Sequence, residues 1–209
     1  MPPTTVELPF PESLCHQCAA PPKYVRTERS TFVRCPLVAE KYPRQPVLDC
    51  PLYRPAVVAT ERLLLRELTV ADEPFVASMT DSVADAADWL RRSFARYQRD
   101  GFSLWLAIER ASGEPVGQIG LLAQTVAGVV EPEVSYHLHA RHRRRGFAVE
   151  GAAAVRDWAF VRGHDHVIAL IRPDNAASQA VARKLGMSAG DQVVMHAGAD
   201  HVVWRVDRR

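Results

Sequence analysis

An α+β domain on a mixed, mostly antiparallel central sheet flanked by helices, preceded by a small cysteine-rich module, is the architecture this sequence predicts. Two observations carry the prediction. From residue 59 onward, strand-like runs outnumber helical ones and fall partly into hairpins, a grammar that favours a mixed sheet over regular βαβ alternation. Before that point prolines recur in "APPKY", "CPL", "YPRQP" and "DCPLYRP", and no long amphipathic period fits between them. The 209 residues therefore divide into a short module over residues 1–58 and a domain over residues 59–209 long enough to bury its own core.

Taken in order, "ERLLLREL" (61–68) reads as a strand, and helical stretches follow at 70–79 and 84–100, the second closed by Gly101. "FSLWLAIE" is a strand, "RASGEP" a turn, and "VGQIGLLAQ" and "VVEPEVSYHLH" are the next two strands. A helix over 146–162 shows an apolar stripe at Ala148, Ala152, Val155 and Ala159. "HVIALI" is a short buried strand. Asp174 or Asn175 caps a helix that ends at Gly186, and two strands close the chain through "HVVWRV".

Composition excludes several classes. The chain is 47% hydrophobic and 24% charged, with a formal net charge of +2. Residues 1–58 hold seven Lys/Arg against five Asp/Glu, which leaves nineteen of each sign in the domain. A neutral domain with one local basic cluster argues against nucleic-acid binding. No apolar run reaches the roughly 18 residues that span a bilayer, and "MPPTTVELPFPESLC" lacks a secretory pattern, so the cytoplasm is the expected compartment and no membrane the expected partner.

In that compartment cysteines serve more readily as metal ligands or thiols than as disulfides. "LCHQC" supplies Cys15 and Cys18 as C-x2-C, and Cys35 and Cys50 would complete a tetrahedron. A structural zinc is the expected occupant, since so short and proline-rich a segment buries little core; an iron–sulfur cluster or no metal stay open. "KYPRQP" offers an exposed face for recognising a macromolecule, and a plain packing extension is the other reading.

"ARHRRRGFAVEGA" (140–152) sets four arginines and a histidine ahead of a glycine and a helix start. Unpaired amides and the positive end of the helix dipole gather there, so Arg143, Arg144 and Arg145 beside Gly146 suit a pyrophosphate. A solvated basic loop is the plain alternative. His137, His139 and His142 have no carboxylate or cysteine at ligand spacing, so a metal is not expected among them.

With these residues in view, the chain resembles the GNAT N-acetyltransferases, in the branch that includes bacterial ribosomal-protein N-terminal acetyltransferases. The resemblance covers about residues 59–207 and rests on three ordered signatures: "TERLLLREL", the Q/R-x-x-G-x-G/A loop at Arg143, Gly146 and Ala148, and "NAASQAVARKLGM" with Asn175, Ser178, Leu185 and Gly186. Arg143 and Arg144 stand where the branch often has Trp-Gly or Gly, and Met187 replaces an aromatic residue.

The resemblance implies acetyl-CoA as cosubstrate, its pyrophosphate held by Arg143, Arg144, Arg145, Gly146, Phe147 and Ala148. It implies that backbone at Tyr136, His137 and Leu138 pairs with the pantetheine and the thioester carbonyl, with Asn175 near the pantetheine. It further implies Ser178 beside the sulfur, assisting the thiolate, and Glu133 as base, directly or through water; a solvated carboxylate and a backbone-bonded helix serine are the plain readings of those two. A free α-amine, with a pKa of about 7.7–8.0, costs only about 1 kcal/mol to deprotonate at neutral pH, so a weak base suffices. Expected partners are acetyl-CoA, an amine acceptor (a protein N-terminus or a small molecule) and a second copy of the chain. All four cysteines lie before residue 51, which leaves no covalent cysteine route in the domain. A non-catalytic CoA-binding regulator and a zinc-dependent nucleic-acid or protein-binding module are the alternatives.

Overall fold

The computed structural model describes residue 10 and residues 13–18, 23–28, 30–35, 44–48, 50, 55–80 and 83–209. Lys41, Tyr42 and Pro43 of the suggested recognition face lie outside the described residues.

Near the start, β1 (Lys23–Arg26) and β2 (Thr31–Arg34) form an antiparallel hairpin with Val25 opposite Phe32. The main sheet has eight strands: β3 (Val58–Ala59), β4 (Leu63–Arg66), β5 (Leu104–Glu109), β6 (Pro115–Val126), β7 (Val129–Leu138), β8 (His166–Ile171), β9 (Ser188–His196) and β10 (Ala199–Asp207). Their spatial order is β3-β4-β5-β6-β7-β8-β10-β9. Every neighbouring pair is antiparallel except β7 and β8. The first strand, β3, straddles the position where the composition changes.

Alternation along β5 divides the core. Trp105 and Ala107 join Phe147, Ala152, Val155 and Ala159 of α3 (Phe147–Val161) and Ala182 of α4 (Ala176–Lys184) on one face. Leu106 and Ile108 face Val76 of α1 (Glu73–Ala77) and Ala86 and Leu90 of α2 (Val83–Asp100) on the other. Gly151 lets α3 lie close on the sheet, because a methyl there would overlap Cδ1 of Ile119. Among the described residues no helix is long and apolar enough to cross a membrane.

Two local expectations shift. The helix read at 70–79 is a single 3-10 turn, Val70–Asp72, followed by the five-residue α1. Asp72 accepts bonds from Thr69 N–H at 2.7 Å and from Arg66 Nη1 and Nη2 at 2.7 Å each, which ties the chain into that turn before Pro74 opens α1. The stripe of α3 holds at Ala152, Val155 and Ala159, which are buried, but begins at Phe147 and includes Gly151, while Ala148 is only half-buried.

What matters most for the site is how β7 leaves β8. Their parallel pairing is carried by one register pair, Glu133 with Ile168, while β7 continues to Leu138 fully paired with β6 on its other side. Among the described residues the β8-facing edge of β7 beyond Glu133 therefore keeps backbone groups without strand partners. His139 N–H bonds the Val116 carbonyl of the β6 side, so by strand alternation the amides of Tyr136 and Leu138 point into the gap.

Candidate active site

A cavity of about 920 Å³ occupies that gap. One wall is the end of β7 (Tyr136, His137, Leu138); a second is the turn and first helical residues at Arg143, Arg144, Gly146 and Ala148; a third is α4 with Asn175 and Ser178. Nine of the residues singled out from the sequence for cofactor contact thus meet around one space.

The basic turn has an uncommon backbone. Gly146, the N-cap of α3, has φ 86°, which glycine adopts freely, and Arg144 has φ 60°, which side chains adopt at a cost. The first intrahelical bond is Glu150 N–H to the Gly146 carbonyl, so the amides of Phe147, Ala148 and Val149 lack helical acceptors. Arg143 reaches back with Nε to the Leu138 carbonyl at 3.1 Å. Among the described residues the Arg144 side chain has no protein partner and borders the cavity.

The third arginine behaves differently. Arg145 Nη2 bonds Glu109 Oε1 at 2.6 Å, its guanidinium lies 4.8 Å from the centre of the Phe147 ring, and it does not border the cavity. Phe147 is 1% exposed and belongs to the core. Of the predicted contacts, Arg145 and Phe147 are therefore turned away as side chains, because the left-handed residues at 144 and 146 rotate successive side chains to opposite sides.

On the α4 wall, Asn175 Oδ1 caps the helix by accepting from Ser178 N–H at 3.0 Å. Tyr136 Oη donates to the Ser178 carbonyl at 3.1 Å and links α4 to β7. Burial raises the Tyr136 phenol above its ordinary range, so it stays protonated and keeps that bond. Among the described residues Ser178 Oγ has no protein hydrogen-bond partner, which leaves it available to the cavity.

Glu133 stands behind the wall, on the face of β7 that carries Ser135 and His137. It is 7% exposed and does not border the cavity. Burial pushes its carboxyl up to about 7, against the pull of a hydrogen bond from the Leu170 backbone and the positive charge of Arg96. Nearer the cavity, Ser135 Oγ lies 3.5 Å from His137 Nε2, and the His137 ring meets Trp89 edge-on at 5.9 Å. Desolvation in that packing lowers the His137 imidazole below its usual range. Trp89 Nε1 donates to the buried Gln118 Oε1 at 2.7 Å, and Gln118 lies opposite His137 in the β6–β7 register.

Several lining residues escaped the sequence reading: Ser78 and Met79 after α1, His139, and Ala177, Val181 and Lys184 on α4. The α4 set repeats at four and three residues, so a helical wheel started at Ala177 finds Lys184 as a further cation.

Among the described residues no three or more His, Cys, Asp or Glu side chains are grouped to hold a metal ion, although Cys15, Cys18, Cys35 and Cys50 are all described. The expected zinc or iron–sulfur ligand set is therefore not assembled in this structure, and no disulfide joins them. Cys18 is buried in a bridge to Pro55, and Cys15 Sγ lies 3.9 Å from Gln45 Nε2. The segment is tied instead through the buried Ser13, whose hydroxyl donates to Gln45 Oε1 at 2.8 Å and accepts from Val47 N–H at 3.1 Å.

The chain matches the family described as acetyltransferase (GNAT) domain over residues 62–188. It is 38% identical over 101 residues to the uncharacterized protein YkkB of Bacillus subtilis (strain 168), a match spanning 48% of this chain and 57% of that protein. Among solved structures, an acetyltransferase of Agrobacterium tumefaciens str. C58 superposes with a TM-score of 0.64 at 26% identity, covering 77% of this chain and 98% of the other. Mycobacterium smegmatis RimJ, in complex with CoA-disulfide, shares the fold at a TM-score of 0.59 and 17% identity, over 69% of this chain and 81% of that one.

Proposed function

This chain belongs to the acetyltransferase (GNAT) family, and from that premise we propose that it moves an acetyl group from acetyl-CoA directly to a primary amine, either a protein α-amine or a small-molecule amine. The observation that carries the reading is the convergence on one cavity of an unpaired β-strand edge, a helix N-terminus flanked by Arg143 and Arg144, and an unpartnered serine hydroxyl. In this reading residues 1–58 are an appended module and residues 59–209 carry the transfer.

Each wall then has a task. Amides of the 146–149 turn and the Arg143 and Arg144 guanidiniums hold the pyrophosphate, where the helix dipole adds to their charge. Amides of Tyr136 and Leu138 pair with the pantetheine and polarise the thioester carbonyl, stabilising the oxyanion that forms when the amine attacks. The carbon–sulfur bond breaks as that oxyanion collapses, and Ser178 Oγ donates a hydrogen bond to the departing thiolate. The amine proton passes through water to Glu133, because Glu133 lies behind the cavity wall rather than on it. A carboxylate that titrates near 7 is matched to an amine of pKa about 7.7–8.0.

The test is release of free CoA thiol from acetyl-CoA over a panel of amines, including peptides with free and with acetylated N-termini. The proposal predicts thiol release that depends on a free amine. Tight acetyl-CoA binding with no turnover over the whole panel would favour a CoA-binding regulator instead.

A further inference from the structure

The segment "TERL" at 60–63 marks the start of the domain, yet the chemistry above gives it no part. In the structure Arg62, on the approach to β4, lies against the back of the basic turn. Its Nη1 donates to the Arg145 carbonyl at 3.0 Å and its Nε to Glu150 Oε2 at 2.6 Å. Its backbone N–H donates to Glu150 Oε1 at 2.9 Å, and Thr60 Oγ1 bonds the same oxygen at 2.5 Å. The guanidinium lies 4.9 Å from the centre of the Phe147 ring, with Arg145 at 4.8 Å from the same ring. Its Nη2 comes within 3.2 Å of where a side chain at Gly146 would begin.

These contacts fix the residue before Gly146, the residue after it and the end of the first turn of α3 to one point on the sheet. Arg62 is absent from the cavity lining, so it does not reach the ligand itself. Its charge also has a use. Glu150 sits in the first turn of α3, where a carboxylate opposes the arrival of an anion at the same helix end. Arg62 pairs with that carboxylate and cancels its charge. A planar guanidinium serves the Arg145 carbonyl and the Glu150 carboxylate together, whereas an ammonium is a point charge.

We propose that Arg62 is a positioning residue for cofactor binding: together with Thr60 and Glu150 it holds the Gly146 turn in the shape that receives pyrophosphate, and neutralises the Glu150 carboxylate in the first turn of α3. The inference rests on the turn being a pyrophosphate site, so the experiment begins with CoA binding by the full wild-type chain. Calorimetry with CoA and steady-state kinetics with acetyl-CoA are then run on Arg62→Ala, Arg62→Lys and Arg62→Ala combined with Glu150→Gln, with a melting curve for each.

Arg62→Ala should raise the Kd for CoA and the KM for acetyl-CoA about ten-fold, the size of one charge-assisted contact, while kcat changes less than about two-fold. Arg62→Lys should fall between wild type and Arg62→Ala. Adding Glu150→Gln should restore roughly three-fold of the lost affinity, a rescue that a merely structural role does not produce. If Arg62→Ala fails to fold, the lysine variant carries the same comparison. Wild-type affinity in a folded Arg62 variant, or a loss confined to kcat, would overturn the proposal. Absence of CoA binding by the wild type would instead overturn the pyrophosphate reading on which it stands.

Discussion

Residues that line the cavity and residues that stand just behind it are interleaved in the sequence, and they do different work. Arg143 and Arg144 border the cavity, while Arg145, next in line, pairs with Glu109 behind it. Ala148 borders the cavity while its neighbour Phe147 is core. On β7 the order reverses: His137 borders the space and Glu133, four residues earlier on the same face, is enclosed. Like residues side by side are thus sorted by backbone direction rather than by chemistry. In the proposed reading the front layer offers donors and charge to a ligand, and the back layer holds the front in place or takes a proton.

The sharpest way to test that division is to alter the back layer and read chemistry apart from binding. Glu133→Gln should lower kcat by about 100-fold and leave the Kd for CoA within about two-fold. An equal loss in CoA affinity would move Glu133 into the binding layer.

Glu133 also leaves a mark on stability. Its folded pKa of about 7 lies above the ordinary 4.5, so between these values the folded form keeps a proton that the unfolded chain releases. Stability contributed by this group is accordingly present below about 4.5 and falls as pH rises through 7, by on the order of 3 kcal/mol. Urea midpoints across pH 5 to 8 should decline more steeply for wild type than for Glu133→Gln; parallel slopes would contradict the enclosed carboxylate.

Smaller effects sharpen the contrast between the arginines. Arg145→Ala should lower stability by about 1 kcal/mol, through a half-exposed ion pair and a ring contact, and leave CoA affinity within about three-fold. Arg144→Gly should raise the melting temperature slightly, by relieving a left-handed arginine worth about 1 kcal/mol, and yet weaken CoA binding. A variant that gained stability and kept full affinity would show that the Arg144 side chain does nothing in the cavity.

Much of this was readable beforehand, and the remainder failed for physical reasons. The mixed sheet, its hairpins and the helix after Gly146 follow from periodicity and punctuation, which are local. The Arg143, Gly146 and Ala148 pattern located the turn, but spacing does not say which way Arg145 points, since that depends on the φ values at 144 and 146. The apolar stripe of α3 is legible at Ala152, Val155 and Ala159, and only its first position differs, because Phe147 and Gly151 extend it by four-residue steps from Val155. The Arg62 contact to Glu150 bridges 88 residues, a separation no sequence pattern encodes. Four cysteines in a proline-rich segment point to a metal, and no ligand group is found among the described residues; the Ser13–Gln45 bond and the Cys18–Pro55 bridge there join positions 30 or more residues apart, which spacing alone does not reveal.

The most direct test of the central claim is calorimetric titration of acetyl-CoA into the wild-type chain, into Arg143→Ala with Arg144→Ala, and into Arg145→Ala. The front-layer account predicts micromolar binding by the wild type, a loss of about 100-fold in the double variant and little change in Arg145→Ala. Equal affinity in all three, or a loss confined to Arg145→Ala, would contradict it.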